Sequence, residues 1–341
     1  MDNKRVLLTG VTGFLGSHTT IQLLNRGYEV VGTLRNKARI NSIKEVIGKH
    51  TVNINKLTFV EADLRDSVTW CELTKNIDYI QHIASPFPTK VPKHEDDLII
   101  PAKQGTLNIL KAATINKVKR VVMVSSLGSI AYGKTKKELD KVLNEDDWTD
   151  ETNLKDTTPY YRSKTIAEKA AWDFFKQDKS ALELTTVCPG AILGPIIDTD
   201  FGTSANLVIS LLNSSLPALP KIEFDIVDVR SVADLLIRAM EMPQAAGNRY
   251  IAASDHLTYM DIAKIVKQQY PERKIPSLEL SNFVTKLFAI FQPLLRPVLL
   301  ENVKRKTDLS KAKKQLQWQP LSSEEAIIAC SESILKNKIV L

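Results

Sequence analysis

"LLTGVTGFLGSH", residues 7–18, decides how the chain is read. Gly10, Gly13 and Gly16 recur at every third position between an apolar run, "RVLLTG" (5–10), and an amphipathic one, "FLGSHTTIQLLNRG" (14–27). A strand that enters a helix through such a turn uses its first glycine for a backbone conformation that other residues resist. The second glycine removes a Cβ that would collide with a pyrophosphate, and the third lets helix and strand pack closely. The helix N-terminus then presents unpaired N–H groups and a positive dipole end to the phosphates. Three spaced glycines alone carry little; the strand before and the helix after them point to a dinucleotide site. The residues expected to hold it here are Thr9, Gly10, Thr12, Gly13, Phe14, Leu15 and Gly16.

Outward from this turn, short apolar runs alternate with helical patterns. The runs are "YEVVGTL" (28–34), "LTFVEAD" (57–63), "IDYIQHIA" (77–84), "RVVMVSS" (120–126) and "LELTTVCP" (182–189). They are rich in Val, Ile and Leu and lack strict polar alternation, as strands buried on both faces of a parallel sheet do. Amphipathic stretches such as "GTLNILKAATINK" (105–117) separate them. The fold class expected is α/β, a Rossmann-like doubly wound parallel sheet with a smaller C-terminal substrate-binding domain. The dinucleotide-binding domain is expected over 1–189, with segment 222–252 returning to it, because "IEFDIVDVRSVADLLIRAME" (222–241) reverts to a strand-then-helix pattern. Residues 190–221, rich in loop formers, and 253–341, which read as short helices broken by prolines, would form the smaller domain.

With 341 residues, 43% of them hydrophobic and 25% charged, the chain has ample apolar content for a large core. Cys71, Cys188 and Cys330 are odd in number and far apart, which suits neither a disulfide framework nor a metal spacing. That points to a reducing, cytoplasmic setting and to no metal. The glycine turn lies so near Met1 that no signal peptide is expected. The net charge of +7 invites a nucleic-acid reading. However, the densest basic run, Lys304-Arg305-Lys306 with Lys311, Lys313 and Lys314, has no interleaved aromatics and reads as a solvated face, so no nucleic-acid partner is expected. The apolar stretch 283–300 is interrupted by Lys286, Pro293, Arg296 and Pro297, and is a poor membrane span.

The end of the second strand speaks to the choice of dinucleotide. An NAD site usually carries an acidic residue there, about 20 residues past the glycines, for the ribose hydroxyls. This chain has Thr33, followed by Arg35, Lys37 and Arg39. An arginine can clamp a 2′-phosphate with two charge-assisted hydrogen bonds, so NADP(H) is expected, with Arg35 as first clamp and Lys37 beside it. Asp63, ending the third strand, could bond the adenine edge, with Leu64 beside the ring.

The chemistry rests on "TPYYRSKTIAEKAAWDF" (158–174), where Tyr160 and Lys164 are four residues apart and share a helix face. A phenol titrates near pH 10 in isolation, and a cation one turn away would lower that value, making Tyr160 a usable proton donor to a carbonyl oxygen. Tyr161 competes, but the residue one turn after it is the uncharged Thr165. Ser125 and Ser126 close the fifth strand, at the carboxyl ends where open α/β sheets bind ligands. Ser126 is the candidate orienter of a carbonyl, whereas a turn-capping role suits Ser125 better.

Together, the TGxxGxxG turn, the serine after the fifth strand and the YxxxK helix resemble the extended short-chain dehydrogenase/reductase superfamily. "RGYEVVGTLRN", "IASPF", "PAKQGTLNILKAA", "YYRSKTIAEKAAW" and "VDVRSVADLLIRAM" resemble its dihydroflavonol 4-reductase, cinnamoyl-CoA reductase and aldehyde/ketone reductase branch. The resemblance implies Tyr160 as general acid/base, Lys164 as its pKa setter and ribose ligand, Ser126 as carbonyl orienter and Asn108 as a site-shaping helix residue, where a purely structural role is equally open. It implies nicotinamide contacts from Pro189, Gly190 and Ile192, and a cofactor-edge loop of Ile83, Ala84 and Ser85. Substrate contacts would come from Phe87, Ser126, Ile130, Tyr132 and Tyr160. The expected reaction is NADPH-dependent reduction of a small, apolar or aromatic aldehyde or ketone. Ser129 to Gly133 resemble the sugar-epimerase branch, so an NAD-dependent nucleotide-sugar epimerase/dehydratase or a 3β-hydroxysteroid dehydrogenase-like enzyme stays open. A non-enzymatic NADP-binding sensor ranks last, since both Tyr160 and Lys164 are present. The expected assembly is a monomer or a homodimer.

Overall fold

The apolar runs become strands because each can be covered on both faces by the helices between them. In the computed structural model, which describes residues 4–85, 94–281, 285 and 298–340, β1 (Arg5–Thr9) leads through the glycine turn into α1 (Phe14–Asn25). There follow β2 (Glu29–Leu34), α2 (Ile40–Gly48), β3 (Leu57–Glu61), α3 (Ser67–Leu73), β4 (Tyr79–His82), α4 (Asp96–Ile115) and β5 (Arg120–Val124). Short α5 (Lys136–Leu139) and β6 (Val142–Leu143) precede α6 (Pro159–Gln177) and β7 (Glu183–Pro189). Then come β8 (Ala191–Leu193), α7 (Asn206–Leu212), β9 (Leu219–Pro220), β10 (Glu223–Asp228), α8 (Val229–Glu241), β11 (Arg249–Ala252), β12 (Asp255–Thr258) and α9 (Tyr259–Gln269). Helices Ser310–Gln315 and Ser323–Lys336 follow.

Seven strands form one sheet in the order β11-β7-β5-β4-β1-β2-β3, with every neighbouring pair parallel. This is the Rossmann-like doubly wound sheet expected from the sequence. The chain leaves β1 outward through β2 and β3, then returns to build β4, β5, β7 and β11 on the other side. The order therefore reverses between β1 and β4, and a crevice opens outside their carboxyl ends. Along β1, Leu7 faces a core with Ile80, Ile109, Ala167 and Ala171, under α4 and α6. Val6 and Leu8 face the opposite core, with Leu23 and Leu24 of α1 and Leu235 and Leu236 of α8. Each such side chain contributes roughly 1.5–3 kcal/mol by leaving water, which is why the strand sequences are continuous in apolar residues rather than alternating.

A second sheet of three strands has the order β12-β10-β8. Segment 222–252 thus divides: β10 pairs with β8 and β12, whereas β11 pairs with β7 in the large sheet and α8 covers that sheet's face beside α1. Helix α4 begins at Asp96, ahead of the amphipathic stretch 105–117; Asp96 and Asp97 complement the positive end of its dipole. Among the described residues no helix is long and apolar enough to cross a membrane.

Of the described glycines, the one with least room for a side chain lies in the glycine turn. A Cβ on Gly16 would fall 2.0 Å from the Gly10 carbonyl oxygen. Both partners are backbone, so neither can yield cheaply. Gly16→Ala should lower the stability by about 1–3 kcal/mol, the usual cost of forcing atoms into a filled space. Chemical denaturation would show this as a lower midpoint; a wild-type midpoint would mean that α1 can slide off β1 without penalty.

Candidate active site

The crevice at the switch point is built first from backbone. Gly10 has φ +77°, a left-handed conformation, and the Gly10 and Val11 amides both donate to the Thr33 carbonyl at 3.1 Å. A Cβ on Gly10 would also lie 3.2 Å from Ala84, so the first glycine lets the β1 and β4 ends meet. Thr9 is fully buried and ties the same two ends: its hydroxyl accepts from the Ala84 amide at 2.9 Å and lies 3.0 Å from His82 Nδ1. Burial, followed by the charge of Lys164, pushes His82 down to about 3, so this histidine is neutral. The Thr9 side chain is therefore a structural tie and is not aimed at the crevice.

The three glycines differ in what they are for. Gly10 serves φ and close approach, and Gly16 serves packing. Gly13 is different: a Cβ there would meet nothing nearer than the Gly10 oxygen at 3.5 Å, an ordinary contact. Nothing in the protein's own packing excludes a side chain at Gly13, which caps α1 without a side-chain hydrogen bond and leaves the first-turn amides uncapped. That combination fits a phosphate group lying on the turn. Thr12 and Gly13 are partly exposed, whereas Phe14 and Leu15 pack into the core beneath. Ile83, Ala84 and Ser85 are partly exposed after β4. Phe87 lies outside the described residues.

At the end of β2 the basic residues are not equivalent. Lys37 pairs with Glu61 at 3.3 Å, and Arg39 pairs with Asp198. Arg35 is exposed and makes no ion pair among the described residues. Asp63 is held by Arg65, which donates from Nε at 3.1 Å and from its terminal nitrogen at 2.8 Å, and these bonds hold its carboxyl down at about 2. The Asp63 carboxylate thus holds Arg65 while its side chain stays 46% exposed. Leu64 is tied from α4 by Asn108, whose amide donates to the Leu64 carbonyl at 3.0 Å. Asn108 is buried, and this bond ties α4 to the segment that follows β3.

On the other side of the crevice, α6 carries Tyr160 and Lys164. Thr158 caps the helix by accepting from the Tyr161 amide at 3.1 Å, and Pro159 follows as its first residue. Ser126, after β5, bonds the Tyr160 hydroxyl. Ser126 also accepts from the Gly128 amide at 3.0 Å and so caps the turn Leu127–Ser129. The expected division between the serines is reversed here. Ser126 is the capping serine, while Ser125 is buried and donates to Glu168 at 2.5 Å. The partly exposed hydroxyl that meets Tyr160 is nevertheless that of Ser126.

The expectation that Lys164 lowers the Tyr160 pKa is not met. Burial pushes Tyr160 up to about 12, and what opposes it is the Ser126 hydroxyl. Lys164 is itself pushed down to about 8 by burial, and its ammonium donates to the Val124 carbonyl at 3.2 Å. Tyr160 therefore carries its proton at neutral pH, the form that a proton donor needs.

Two expected substrate contacts are placed in the core instead. Ile130 is fully buried in a cluster with Leu143, Cys188 and Ile251, because the turn after Ser126 folds back onto β7 and β11. Tyr132 stacks on Tyr161 with ring centroids 4.1 Å apart and donates to Glu301 at 2.7 Å. Tyr161 donates to the other oxygen of Glu301 at 2.8 Å. Pro189 ends β7 within the core; Gly190 packs so closely on β10 that a Cβ would lie 2.2 Å from the Asp225 oxygen, and Ile192 follows on β8. Sequence reasoning passed over Glu168 and Arg249, a buried ion pair at 2.8 Å beneath Ser125 and Ser129. The signal for Glu168 was available, since it lies one turn past Lys164 on the same helix face. Nothing marked Arg249 or Glu301. Among the described residues no group of three or more His, Cys, Asp or Glu side chains could hold a metal ion.

Residues 6–253 match the family described as the NAD dependent epimerase/dehydratase family. The chain is similar to cinnamoyl-CoA reductase CAD2 of Medicago truncatula, at 32% identity over 277 residues, covering 80% of this chain and 82% of that one. It is 31% identical over 280 residues to dihydroflavonol 4-reductase of Arabidopsis thaliana, covering 80% of this chain and 72% of that protein. The crystal structure of yeast methylglyoxal/isovaleraldehyde reductase Gre2 complexed with NADPH matches with a TM-score of 0.82 at 26% identity, over 99% of this chain and 100% of that one.

The contrast between Gly13 and Gly16 is open to test. Gly13→Ala should cost no more than about 1 kcal/mol of stability, through a weaker helix cap. Its dinucleotide affinity should fall by about tenfold or more, since about 1.4 kcal/mol of lost contact suffices. Fluorescence titration of the folded variant checks this; wild-type affinity would show that no ligand lies on this turn.

Proposed function

The chain belongs to the NAD dependent epimerase/dehydratase family, the extended short-chain dehydrogenases/reductases, and from that premise we propose that it is an NADP(H)-dependent reductase that converts a small, apolar or aromatic aldehyde or ketone to the alcohol. The observation that carries this reading is the pair Ser126 and Tyr160, hydrogen-bonded at the crevice with the phenol protonated at neutral pH. The resemblance to Gre2 complexed with NADPH and to cinnamoyl-CoA and dihydroflavonol reductases supports it.

NADPH, when bound, supplies the hydride. The residues of this chain do the rest. The Gly13 turn and the α1 N-terminus receive the pyrophosphate, and Arg35 receives the 2′-phosphate. Ser126 and Tyr160 converge on the carbonyl oxygen, and Tyr160 gives it a proton as negative charge develops there. The Ser126 hydroxyl then donates to the phenolate left behind, which is how it opposes the effect of burial on Tyr160. Lys164 keeps a positive charge beneath this pair. On this reading the large sheet binds the cofactor, and segments 190–221 and 253–341 bind the substrate. The epimerase alternative is the weaker one, because Thr33, buried at the end of β2, and Arg35 stand where an acidic residue usually receives the ribose hydroxyls.

Two measurements test the proposal. Tyr160→Phe should lower kcat by about 10²–10⁴-fold, the usual worth of a positioned proton donor, and leave the Kd for NADPH nearly unchanged. Turnover near wild type would remove Tyr160 from the mechanism. A charge-assisted bond from Arg35 is worth roughly 1.5–3 kcal/mol, so NADPH should exceed NADH in kcat/KM by about tenfold or more. Arg35→Ala should erase most of that preference by weakening NADPH alone. Equal loss with both coenzymes would make Arg35 a bystander.

A further inference from the structure

Glu168 is fully buried, yet the mechanism above gives it nothing to do. Its carboxylate is among the most heavily bonded groups in the protein. Oε2 receives Ser125 Oγ at 2.5 Å and Ser129 Oγ at 2.6 Å. Oε1 receives Thr186 Oγ1 at 2.7 Å, Arg249 Nε at 2.8 Å and Trp172 Nε1 at 3.3 Å. Arg249 reaches on to the carbonyls of Glu145 at 2.6 Å and Asp147 at 2.8 Å, and its guanidinium lies 3.7 Å from the centre of the Trp148 ring. Ser125 precedes Ser126, and Ser129 ends the turn Leu127–Ser129 that follows it. Glu168 therefore grips both ends of the segment that presents Ser126, and it does so from the helix that presents Tyr160 and Lys164.

The same carboxylate is singled out electrostatically. Among the described residues, the titratable groups that bear on Lys164 are Glu168 on its own helix, Cys188 on β7 and His82 on β4, and Tyr160 precedes it by one turn of the same helix. Burial pushes Tyr160 and the Cys188 thiol up to about 12 and His82 down to about 3, so these three are neutral at pH 7. Arg249, with the Ser125 and Ser129 hydroxyls, holds Glu168 in its ionised form despite its burial. Among these groups Glu168 alone is an anion, and it is the largest influence keeping the proton on Lys164.

We propose that Glu168, held against Arg249, is a positioning residue of the active site: it fixes the turn that sets Ser126 opposite Tyr160 and supplies the negative charge that faces Lys164. This rests on the reductase reading given above. It also explains why a fold would keep an ion pair beneath its sheet, where a well-packed apolar pair is often no worse for stability. The pair would be kept for the geometry and charge of the residues above it.

The test is the pH profile of kcat/KM for carbonyl reduction with NADPH. If cationic Lys164 is the required form, activity is lost as pH rises through its pKa. Without the Glu168 charge the proton leaves Lys164 at lower pH, so Glu168→Gln should move the alkaline limb to lower pH by about one unit, the smaller end of what a close counter-charge exerts. The Kd for NADPH at pH 7 should stay within about twofold, because Glu168 does not touch the cofactor crevice. Should the lone variant fail to fold for want of a partner to Arg249, the paired Glu168→Gln/Arg249→Met variant removes both buried charges, and the limb should move in the same direction by less, because the neighbouring cation is lost with the anion. The double Ser125→Ala/Ser129→Ala variant, in which Arg249 still holds Glu168 ionised while the grip on the turn is loosened, should lower kcat by about tenfold with the limb nearly in place. A limb unmoved by loss of Glu168, in a protein whose turnover still needs Tyr160, overturns this role for Glu168 alone. Wild-type protein that reduces no carbonyl with NADPH overturns the reaction itself.

Discussion

The close backbone approach of α1 to the end of β1 at Gly16 and Gly10 is the constraint on which the rest depends. It fixes where the α1 dipole points, and therefore where an anion can be held. It also sets the left-handed turn at Gly10 that brings the β4 end so near that a Cβ on Gly10 would lie 3.2 Å from Ala84, so that Thr9, His82 and Ala84 close one side of the crevice. A side chain at Gly16 would part helix from strand. The crevice would then lose both its floor and its positive field. Fold and binding site are inseparable at this point, since the residue that permits the packing also aims the amides.

Burial dominates the electrostatics across the crevice. A cation one turn from a phenol ought to lower its pKa, yet Tyr160 stands at about 12 because desolvation exceeds any help, and Lys164 is itself driven down to about 8. The two shifts have opposite signs and a common cause: burial disfavours whichever form is charged. A reductase gains from this arrangement. On the reading proposed above, the tyrosine would meet the carbonyl oxygen with its proton in place, and the serine that shares its hydrogen bond would stabilise the anion once the proton has gone.

The sheet was legible in the sequence because burial on both faces leaves a strong mark, continuous Val, Ile and Leu runs separated by helical periods. The glycine turn was legible because backbone approach demands glycine and nothing else. The division of segment 222–252 was less so: β10 and β11 have the same apolar texture, and which sheet each joins depends on contacts far away in the chain, such as the Asp225 oxygen over Gly190. The same limit applies to the basic residues after β2. Arg35, Lys37 and Arg39 look alike as a string. Only the fold brings Glu61 to Lys37 and Asp198 to Arg39 and leaves Arg35 without an ion pair among the described residues. Charge can be read from a sequence, but whether that charge is already spent depends on tertiary partners.

The adjacent tyrosines show how a fold settles a choice that the sequence states only in outline. Successive residues of a helix point about 100° apart, so Tyr160 and Tyr161 cannot serve one site. Tyr161 turns toward Gly128, whose missing Cβ leaves room for its ring, and stacks on Tyr132. Its hydroxyl is committed to Glu301, from the C-terminal segment, and burial beside that carboxylate drives its pKa well above the ordinary phenol value. Glu301 takes one hydroxyl on each oxygen, and Arg305, its guanidinium 4.2 Å from the centre of the Tyr132 ring, closes the cluster through Asp156. The Tyr161 hydroxyl is therefore committed to a carboxylate rather than to Ser126. Tyr160 meets instead a hydroxyl that can both give and accept a hydrogen bond at the mouth of the crevice. What separates a donor of protons from a structural phenol one residue away is therefore the partner each hydroxyl is given, and the C-terminal segment provides one of those partners.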